Sequence, residues 1–303
     1  MKGHMTTIVP FLEKVRLPVS RDQAMLLFVV LNEIIMGFET FLAHKLNGTI
    51  RFNEWIPIVC GPLFGIMLLA AFFAAPRKPK PALWLATVAL VGSIVVGVLG
   101  TYFHIVRTIR PFAAPGQRIT LDLLVWGAPA FAPPTFVLVG VLGLAALSRE
   151  SQQDTGAFSE LLFRALPLSK DQDYFWMACL GVLIALVSSV FDHMRGGFEN
   201  PWLWIPTLSG VFGVTVAAML GLLQSPRRAD LTIYALAMGL LLVVGPLGFV
   251  LHVLNDMGVG GTIVIERFLR GAPVLAPMVF ANMGLLGVLV LLDPRPATRR
   301  EDL

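Results

Sequence analysis

The sequence predicts an all-α integral membrane protein of eight transmembrane helices, built as two tandem, parallel four-helix repeats with both termini in the cytoplasm. Three observations predict this fold: an apolar composition, uncharged runs of membrane-spanning length, and motifs that recur at a nearly constant offset. Of the 303 residues, 56% are hydrophobic and only 14% are charged, whereas about a quarter of the residues in soluble domains are charged. The mean hydropathy of +0.77 therefore indicates a chain that lies mostly in lipid.

Eight apolar runs are long enough to cross a bilayer, which takes roughly 18 to 20 residues of helix. The predicted spans are 23–44, 56–75, 82–106, 121–148, 174–193, 203–223, 230–254 and 265–292. Fifteen of the 23 lysine and arginine residues fall in the two terminal segments, the central linker and two turns on the same side of the membrane. The positive-inside rule places that side in the cytoplasm.

The expected organisation follows the spans and the polar segments between them. We expect a cytoplasmic segment, a first repeat, a cytoplasmic linker, a second repeat and a cytoplasmic tail, at 1–22, 23–148, 149–172, 173–292 and 293–303. The net charge of +4 reflects this loop bias, so nucleic acid is not an expected partner. The expected location is the inner (plasma) membrane of a bacterium. An apolar substrate and other membrane subunits are partners that such a protein can have in the bilayer.

An internal repeat at offsets of 144 to 149 residues organises the chain. The Trp-Ile-Pro motif at 55–57 recurs at 204–206, and the Gly-Ala-Pro motif at 127–129 recurs at 271–273. Four spans per copy is an even number, so both copies enter the membrane in the same orientation. The repeated prolines are predicted to break or kink spans four and eight; they are Pro129, Pro133, Pro273 and Pro277.

Ionisable residues that both copies retain are the first candidates for a functional site. Each copy has two matched histidines and one matched carboxylate, all at span ends that face outward. They are His44, His104 and Asp122 in the first copy and His193, His252 and Glu266 in the second. Imidazole nitrogens and a carboxylate suit a transition metal. The sequence therefore predicts one or two ions of Cu, Fe or Zn near the outer, periplasmic face, with Glu39 and Asp192 as secondary candidate ligands.

The chemistry expected of such a centre is redox or oxygen chemistry, or metal handling. If the protein is an enzyme, it is a membrane metal-dependent oxidoreductase whose metal acts on an apolar substrate. The sequence does not name the catalytic residues. It also leaves open whether each copy holds its own ion or both copies share a paired centre.

A second hypothesis uses the same histidines as haem ligands. Gly97 and Gly100 precede His104 by seven and four residues, and Gly245 and Gly248 precede His252 in the same way. Such glycines form a groove on one helical face, and histidines on two helices commonly hold haem. This hypothesis predicts a b-type cytochrome with up to two haems that transfers electrons. Close helix packing explains the same glycines without a cofactor.

A third hypothesis is a transporter or structural membrane subunit without a cofactor. In that case the matched residues form a polar pathway or clamp helices together. The chain has no nucleotide-binding loop, His-Glu-x-x-His helix or serine nucleophile motif, so ATP-driven and common hydrolase chemistries have no support. The three hypotheses differ in what occupies the outer ends of the helices.

Overall fold

A computed structural model describes residues 4–11, 18–46, 48–148, 169–257, 261–264, 267 and 273–292. Within these ranges the protein is helical and contains no strand. The helices are α1 (His4–Ile8), α2 (Arg21–Leu46), α3 (Trp55–Ala74), α4 (Pro79–Thr108), α5 (Leu121–Trp126), α6 (Pro134–Leu147), α7 (Lys170–Met194), α8 (Trp204–Leu222), α9 (Arg228–Asp256) and α10 (Met278–Val290). Short 3-10 turns, Phe52–Glu54 and Pro201–Leu203, lead into α3 and α8. The all-helical prediction is confirmed for this part of the chain.

Six of these helices are long and apolar enough to cross a membrane, as judged by length and composition: α2, α3, α4, α7, α8 and α9. Their outer faces carry large apolar side chains such as Val59, Trp84 and Leu236, which are 55%, 69% and 66% exposed. So much exposed apolar surface is suited to lipid and not to water. Helices α6 and α10 are also apolar but have only 14 and 13 residues.

Proline shortens these last two helices. The run predicted as span four is two helices, because α5 ends at Trp126 and α6 begins only at Pro134. Proline has no N–H to donate and its ring clashes with the preceding turn, so Pro129 and Pro133 end one helix and delay the next. The predicted break is confirmed here. In the second half α10 begins directly after Pro277, whereas 265–266 and 268–272 lie outside the described residues.

Helix packing follows the same pattern in both halves of the chain. In the first half α2 packs on α3, α3 on α4, α4 on α6, and α6 on α2. In the second half α7 packs on α8, α8 on α9, α9 on α10, and α10 on α7. The halves meet through α6 with α7 and through α2 with α10. Each half is therefore a closed group of four apolar helices, with α5 a short addition to the first.

Ion pairs join the two halves where α2 and α7 begin. Arg21 pairs with Asp171, and Lys170 Nζ lies 2.6 Å from Asp22 Oδ2. The helix α1 covers this end of the bundle, since His4 Nε2 lies 3.0 Å from Asp171 Oδ2. The expected linker and tail fall largely outside the described residues, at 149–168 and 293–303.

Candidate functional site

The two matched histidines of the first half lie beside each other at one end of the bundle. His44 is in the last turn of α2, and His104 lies four residues before the end of α4. Their ring centroids are 6.3 Å apart, with the ring planes at 71°. Helices α2 and α4 run in the same direction, so both helices end on this side of the bundle. The two repeat-matched histidines of the first half are therefore neighbours in space, a relationship that the repeat left open.

Backbone carbonyls orient both rings of this pair. His44 Nδ1 lies 2.8 Å from Thr40 O, and His104 Nδ1 lies 2.9 Å from Pro129 O. A carbonyl oxygen only accepts hydrogen bonds, so each Nδ1 donates and carries the ring proton. In the neutral imidazole the other nitrogen, Nε2, then keeps its lone pair. In its neutral form each ring thus presents Nε2, from an orientation that the bond at Nδ1 holds.

The second half of the chain contains the same hydrogen bond from a histidine ring to a proline carbonyl. His252 lies four residues before the end of α9, and its Nδ1 lies 3.0 Å from Pro273 O. Pro273 is the repeat counterpart of Pro129, so the same bond recurs at matched positions. Pro129 and Pro273 lie outside regular helix, so their carbonyls need a donor from elsewhere, and a histidine supplies it in both halves. In the sequence, the shared Gly-Ala-Pro motif is the sole feature that points to this bond.

His193 completes a second pair, although its environment differs from that of His44. It lies in the last turn of α7, close enough to His252 for the two side chains to interact electrostatically. Its ring packs edge-on against Phe198, with centroids 5.9 Å apart. The buried Nδ1 of His193 has no hydrogen-bond partner among the described residues. Buried polar atoms without partners are rare in proteins and call for an explanation.

The spacing of the first pair is compatible with a shared ligand. A histidine nitrogen binds Zn²⁺ at about 2.0 to 2.1 Å, and the centroid of its ring lies roughly 1.2 Å from that nitrogen on the side away from the ion. Two rings that bind the same ion therefore have centroids at most about 6.5 Å apart. The 6.3 Å between the His44 and His104 centroids falls just inside this limit. Two rings at this separation would bind one ion from nearly opposite sides.

The matched carboxylates do not join these pairs in the described part of the chain. Asp122 is exposed in the first turn of α5. It lines an open cleft of about 350 Å³, together with Arg110, Thr120, Leu123, Trp126 and Gly127. Glu266 lies outside the described residues. Across those residues, no three His, Cys, Asp or Glu side chains are grouped as a metal site would require.

Two other carboxylates lie nearer to the histidines. Glu54 interacts electrostatically with His104, and its Oε1 lies 3.5 Å from Arg107 Nη1. In the second half Asp192 interacts with both His193 and His252, while Arg195 Nη1 lies 3.5 Å from its Oδ1. Each histidine pair therefore has one carboxylate and one arginine in its vicinity.

Glu39, the other secondary candidate, lies apart from both pairs. It is exposed on α2, on the same outer stripe as Ile35 and Phe38, which are 41% and 56% exposed. The structure thus separates the two secondary candidates. Asp192 lies beside a histidine pair, and Glu39 does not.

The four glycines of the haem hypothesis face other helices. A Cβ added to Gly97 would lie 2.7 Å from Val137 N, and one added to Gly245 would lie 2.7 Å from Ala281 N. At Gly100 and Gly248 the added atom would lie within 2.9 and 2.7 Å of a proline Cβ. Helices α6 and α10 therefore fill the grooves in which a macrocycle would sit. The glycines serve close helix approach, the alternative explanation from the sequence.

No protein-family model matches this chain, and no curated protein or solved structure matches it either.

Proposed function

We propose that the protein is an inner-membrane metalloprotein that binds a transition-metal ion at each of its two histidine pairs, His44–His104 and His193–His252, near the outer face. The observation that carries this proposal is the orientation of the first pair. Both rings donate Nδ1–H to a backbone carbonyl and leave Nε2 free. Metal-binding histidines commonly donate their second ring nitrogen in this way. The 6.3 Å between the two centroids allows both to reach one ion.

Each pair needs further ligands, and the nearby carboxylates are the candidates. We assign Glu54 to the first pair and Asp192 to the second, because these acids interact electrostatically with the histidines. A carboxylate offsets the charge of a divalent ion, and water completes the coordination sphere of many metal sites. The proposal thus replaces Asp122 with Glu54 and favours one ion in each half of the chain.

The unpaired ring nitrogen of His193 also supports a ligand at the second pair. A buried nitrogen without a hydrogen bond costs free energy in the folded state. Either nitrogen of a neutral imidazole can bind a metal ion, depending on which one carries the proton. A bound ion would provide the missing partner.

The chemistry that we propose is redox or oxygen chemistry, or metal handling, by Cu, Fe or Zn. These metals accept overlapping sets of nitrogen and oxygen ligands. If the centre is catalytic, the open coordination positions would bind an apolar substrate that reaches the site through the bilayer.

The topology that belongs to this proposal has eight crossings in two parallel four-helix repeats, with both termini in the cytoplasm. Support comes from the matching helix contacts in the two halves. It also comes from the reciprocal ion pairs Arg21–Asp171 and Lys170–Asp22, which bring the starts of α2 and α7 together. In this topology α5 and α6 together make the fourth crossing, and α10 forms part of the eighth.

Cysteine labelling tests this orientation in a chain whose Cys60 and Cys179 are replaced by serine and alanine. Arg118→Cys should react with a membrane-impermeant maleimide in intact spheroplasts, and Lys78→Cys only after permeabilisation. The opposite pattern would invert the topology and place the histidine pairs at the cytoplasmic face.

Metal analysis of full-length protein, purified from its native membrane in detergent without chelators, tests the proposed function. We expect about two equivalents of one transition metal. His104→Asn should halve this content while keeping the bond to Pro129 O, because the asparagine amide replaces Nδ1 but offers no nitrogen in place of Nε2. His4→Ala is the matched control, since His4 lies at the other end of the bundle beside Asp171. Unchanged metal content in His104→Asn and His252→Asn would overturn the proposal.

The bonds from His104 to Pro129 O and from His252 to Pro273 O also favour a second function, a transporter or structural subunit whose histidines hold broken helices. In that case the wild-type protein carries no metal, and His104→Ala loses stability while His104→Asn does not. A Soret band in the absorption spectrum of the same sample would instead indicate haem.

A further inference from the structure

A carboxyl group is buried in the membrane interior, away from the histidine pairs. Glu33 lies near the middle of α2 and is 0% exposed. Neither of its carboxyl oxygens has a hydrogen-bond partner that meets normal geometry among the described residues. An ionised carboxylate in such a place would be very costly, so a buried acid without a cation is held neutral. Ionisable residues inside membrane helices are rare and usually have a function.

Among the residues that the structure describes, the side chains around Glu33 include polar atoms but no charged group. Ser93 on α4 is close enough to interact with the carboxyl group, and its hydroxyl donates to Phe136 O on α6 at 2.9 Å. Cys60 on α3 is the titratable group that interacts with Glu33. Helices α3, α6 and α10 contain no charged residue. The ionisable residues of α4 are Lys80, His104 and Arg107, and they lie near the two ends of that helix.

The second half of the chain shows that the fold does not need this carboxyl group. At the repeat offset, Val182 takes the place of Glu33 and Leu241 takes the place of Ser93. Both apolar residues are 0% exposed. The same helix contacts therefore form around an apolar pair in one half and around a buried acid in the other. Packing explains the valine and the leucine, but it does not explain the glutamate and the serine.

We infer that Glu33 is a proton-binding site in the membrane domain, a neutral carboxylic acid whose proton exchanges with the solvent. Ser93 is the group placed to accept a hydrogen bond from that proton after a small side-chain adjustment, because its own hydrogen is already donated to Phe136 O and its lone pairs remain available. The site is separate from the histidine pairs and does not depend on their function.

A proton fits this place better than a metal ion does. Hard cations take six or more oxygen ligands, whereas Glu33 and Ser93 offer two carboxyl oxygens and one hydroxyl. The helices also leave little room, since a Cβ on Gly61 of α3 would lie 2.6 Å from Glu33 O. A hydrated ion cannot enter so close a helix contact.

A pair of polar side chains lies on the same helix as Glu33, at the contact between the two halves. Asn32, the neighbour of Glu33, is 6% exposed and pairs with Asn282 on α10, whose Nδ2 donates to Asn32 Oδ1 at 2.5 Å. These amides carry both donors and acceptors. Together with Ser93 they place polar groups on α2, α4 and α10 in the first half and at its contact with the second.

Reaction with dicyclohexylcarbodiimide, an apolar reagent for protonated carboxyl groups, tests the inference on full-length protein in liposomes. The carboxyl oxygen adds to the central carbon of the carbodiimide and the acid proton moves to one nitrogen. The O-acylurea then rearranges to a stable N-acylurea, and no group leaves. We expect peptide mass spectrometry to find this adduct on Glu33. Its rate of formation should fall about tenfold per pH unit once the carboxyl ionises.

Two variants and a second reagent make the test specific. Glu33→Gln, which copies the shape of the neutral acid, should lose the adduct, and Glu39→Gln on the outer face of the same helix should keep it. A water-soluble carbodiimide should modify exposed carboxylates such as Asp122 and leave Glu33 unmodified. An apolar reagent that modifies exposed carboxylates but not Glu33, or a rate independent of pH, would overturn the inference.

Infrared spectroscopy checks proton exchange without chemical modification. The wild-type protein should show a protonated carboxyl band that shifts in D₂O and is missing in Glu33→Gln. A band that stays in place after prolonged exchange would show a trapped proton and would contradict exchange with the solvent.

Discussion

Arg21 of α2 forms an ion pair with Asp171 of α7, and the residues at the matching repeat positions form the reciprocal pair. Lys170 is the counterpart of Arg21, and its Nζ lies 2.6 Å from Oδ2 of Asp22, the counterpart of Asp171. Each half thus contributes a cation and a carboxylate to the other, as in the self-complementary interface of a twofold dimer. Tyr174 lies between the pairs, donating Oη–H to Asp22 Oδ1 at 2.7 Å.

Loss of the carboxylate at this contact should destabilise the protein. Arg21 is 1% exposed, so Asp171→Asn removes the close ion pair of a buried guanidinium and leaves it the more distant Asp22, whose Oδ1 lies 3.8 Å from Arg21 Nε. We expect a loss of about 2 to 4 kcal/mol in the free energy of unfolding, measured by thermal or denaturant unfolding in detergent.

The control for this substitution is Asp122→Asn, because Asp122 is an exposed carboxylate that lies beside Arg110 in an open cleft. Exposed ion pairs contribute less than about 1 kcal/mol. Equal losses in the two variants would show that burial of the Arg21 pair does not matter for stability.

Close helix contact at Gly245 gives a second prediction. A Cβ at this position would lie 2.7 Å from Ala281 N, a backbone atom that cannot move aside. Gly245→Ala should therefore separate α9 from α10 and lower the unfolding free energy by about 1 to 3 kcal/mol.

Gly239 on the same helix is the matched control, since no atom lies within 4 Å of an added Cβ there. Gly239→Ala should be neutral or slightly stabilising, because alanine favours helix. If both variants unfolded at the same temperature, the tight contact between α9 and α10 would be refuted.

The buried pair Asn32–Asn282 gives a third prediction. Asn282→Leu removes the partner that donates to Asn32 Oδ1 at 2.5 Å and should cost about 1 to 2 kcal/mol, the range of polar contacts between membrane helices. The repeat counterparts of these residues are Gly181 and Leu138, which also meet: a Cβ on Gly181 would lie 3.3 Å from Leu138 Cδ2.

The double variant Asn32→Gly/Asn282→Leu copies that apolar contact and should be more stable than Asn282→Leu alone. Removal of both polar partners leaves no unsatisfied amide in the membrane interior. A double-mutant cycle on the free energy of unfolding measures this difference. If the losses from the two single substitutions simply added, the Asn32–Asn282 contact would not be equivalent to the Gly181–Leu138 contact.

Several features could be predicted because they depend on local composition. The long apolar runs predicted helices, and six have the length to cross a bilayer. The prolines at 129 and 133 predicted the break between α5 and α6, since proline acts within one turn of its own position. The count of eight crossings and the side of the termini stay predictions, because they depend on the membrane.

The candidate site was predictable only in part. The repeat selected the histidines and placed each at the end of a helix, where the structure has them. It also selected Asp122, which lies in a separate cleft beside Arg110. A repeat offset specifies position along the helices, but it does not specify which way each helix end turns.

By itself, the sequence determined that this is a helical, lipid-suited chain with matched polar residues in its two halves, because hydropathy and repeat spacing are properties of the order of residues. Only the tertiary structure decided that His44 faces His104, that helices fill the faces of Gly97 and Gly245, and that Arg21 reaches Asp171. Those contacts depend on how each helix rotates about its axis and packs on its neighbours. Rotation and packing are set by all the helices together.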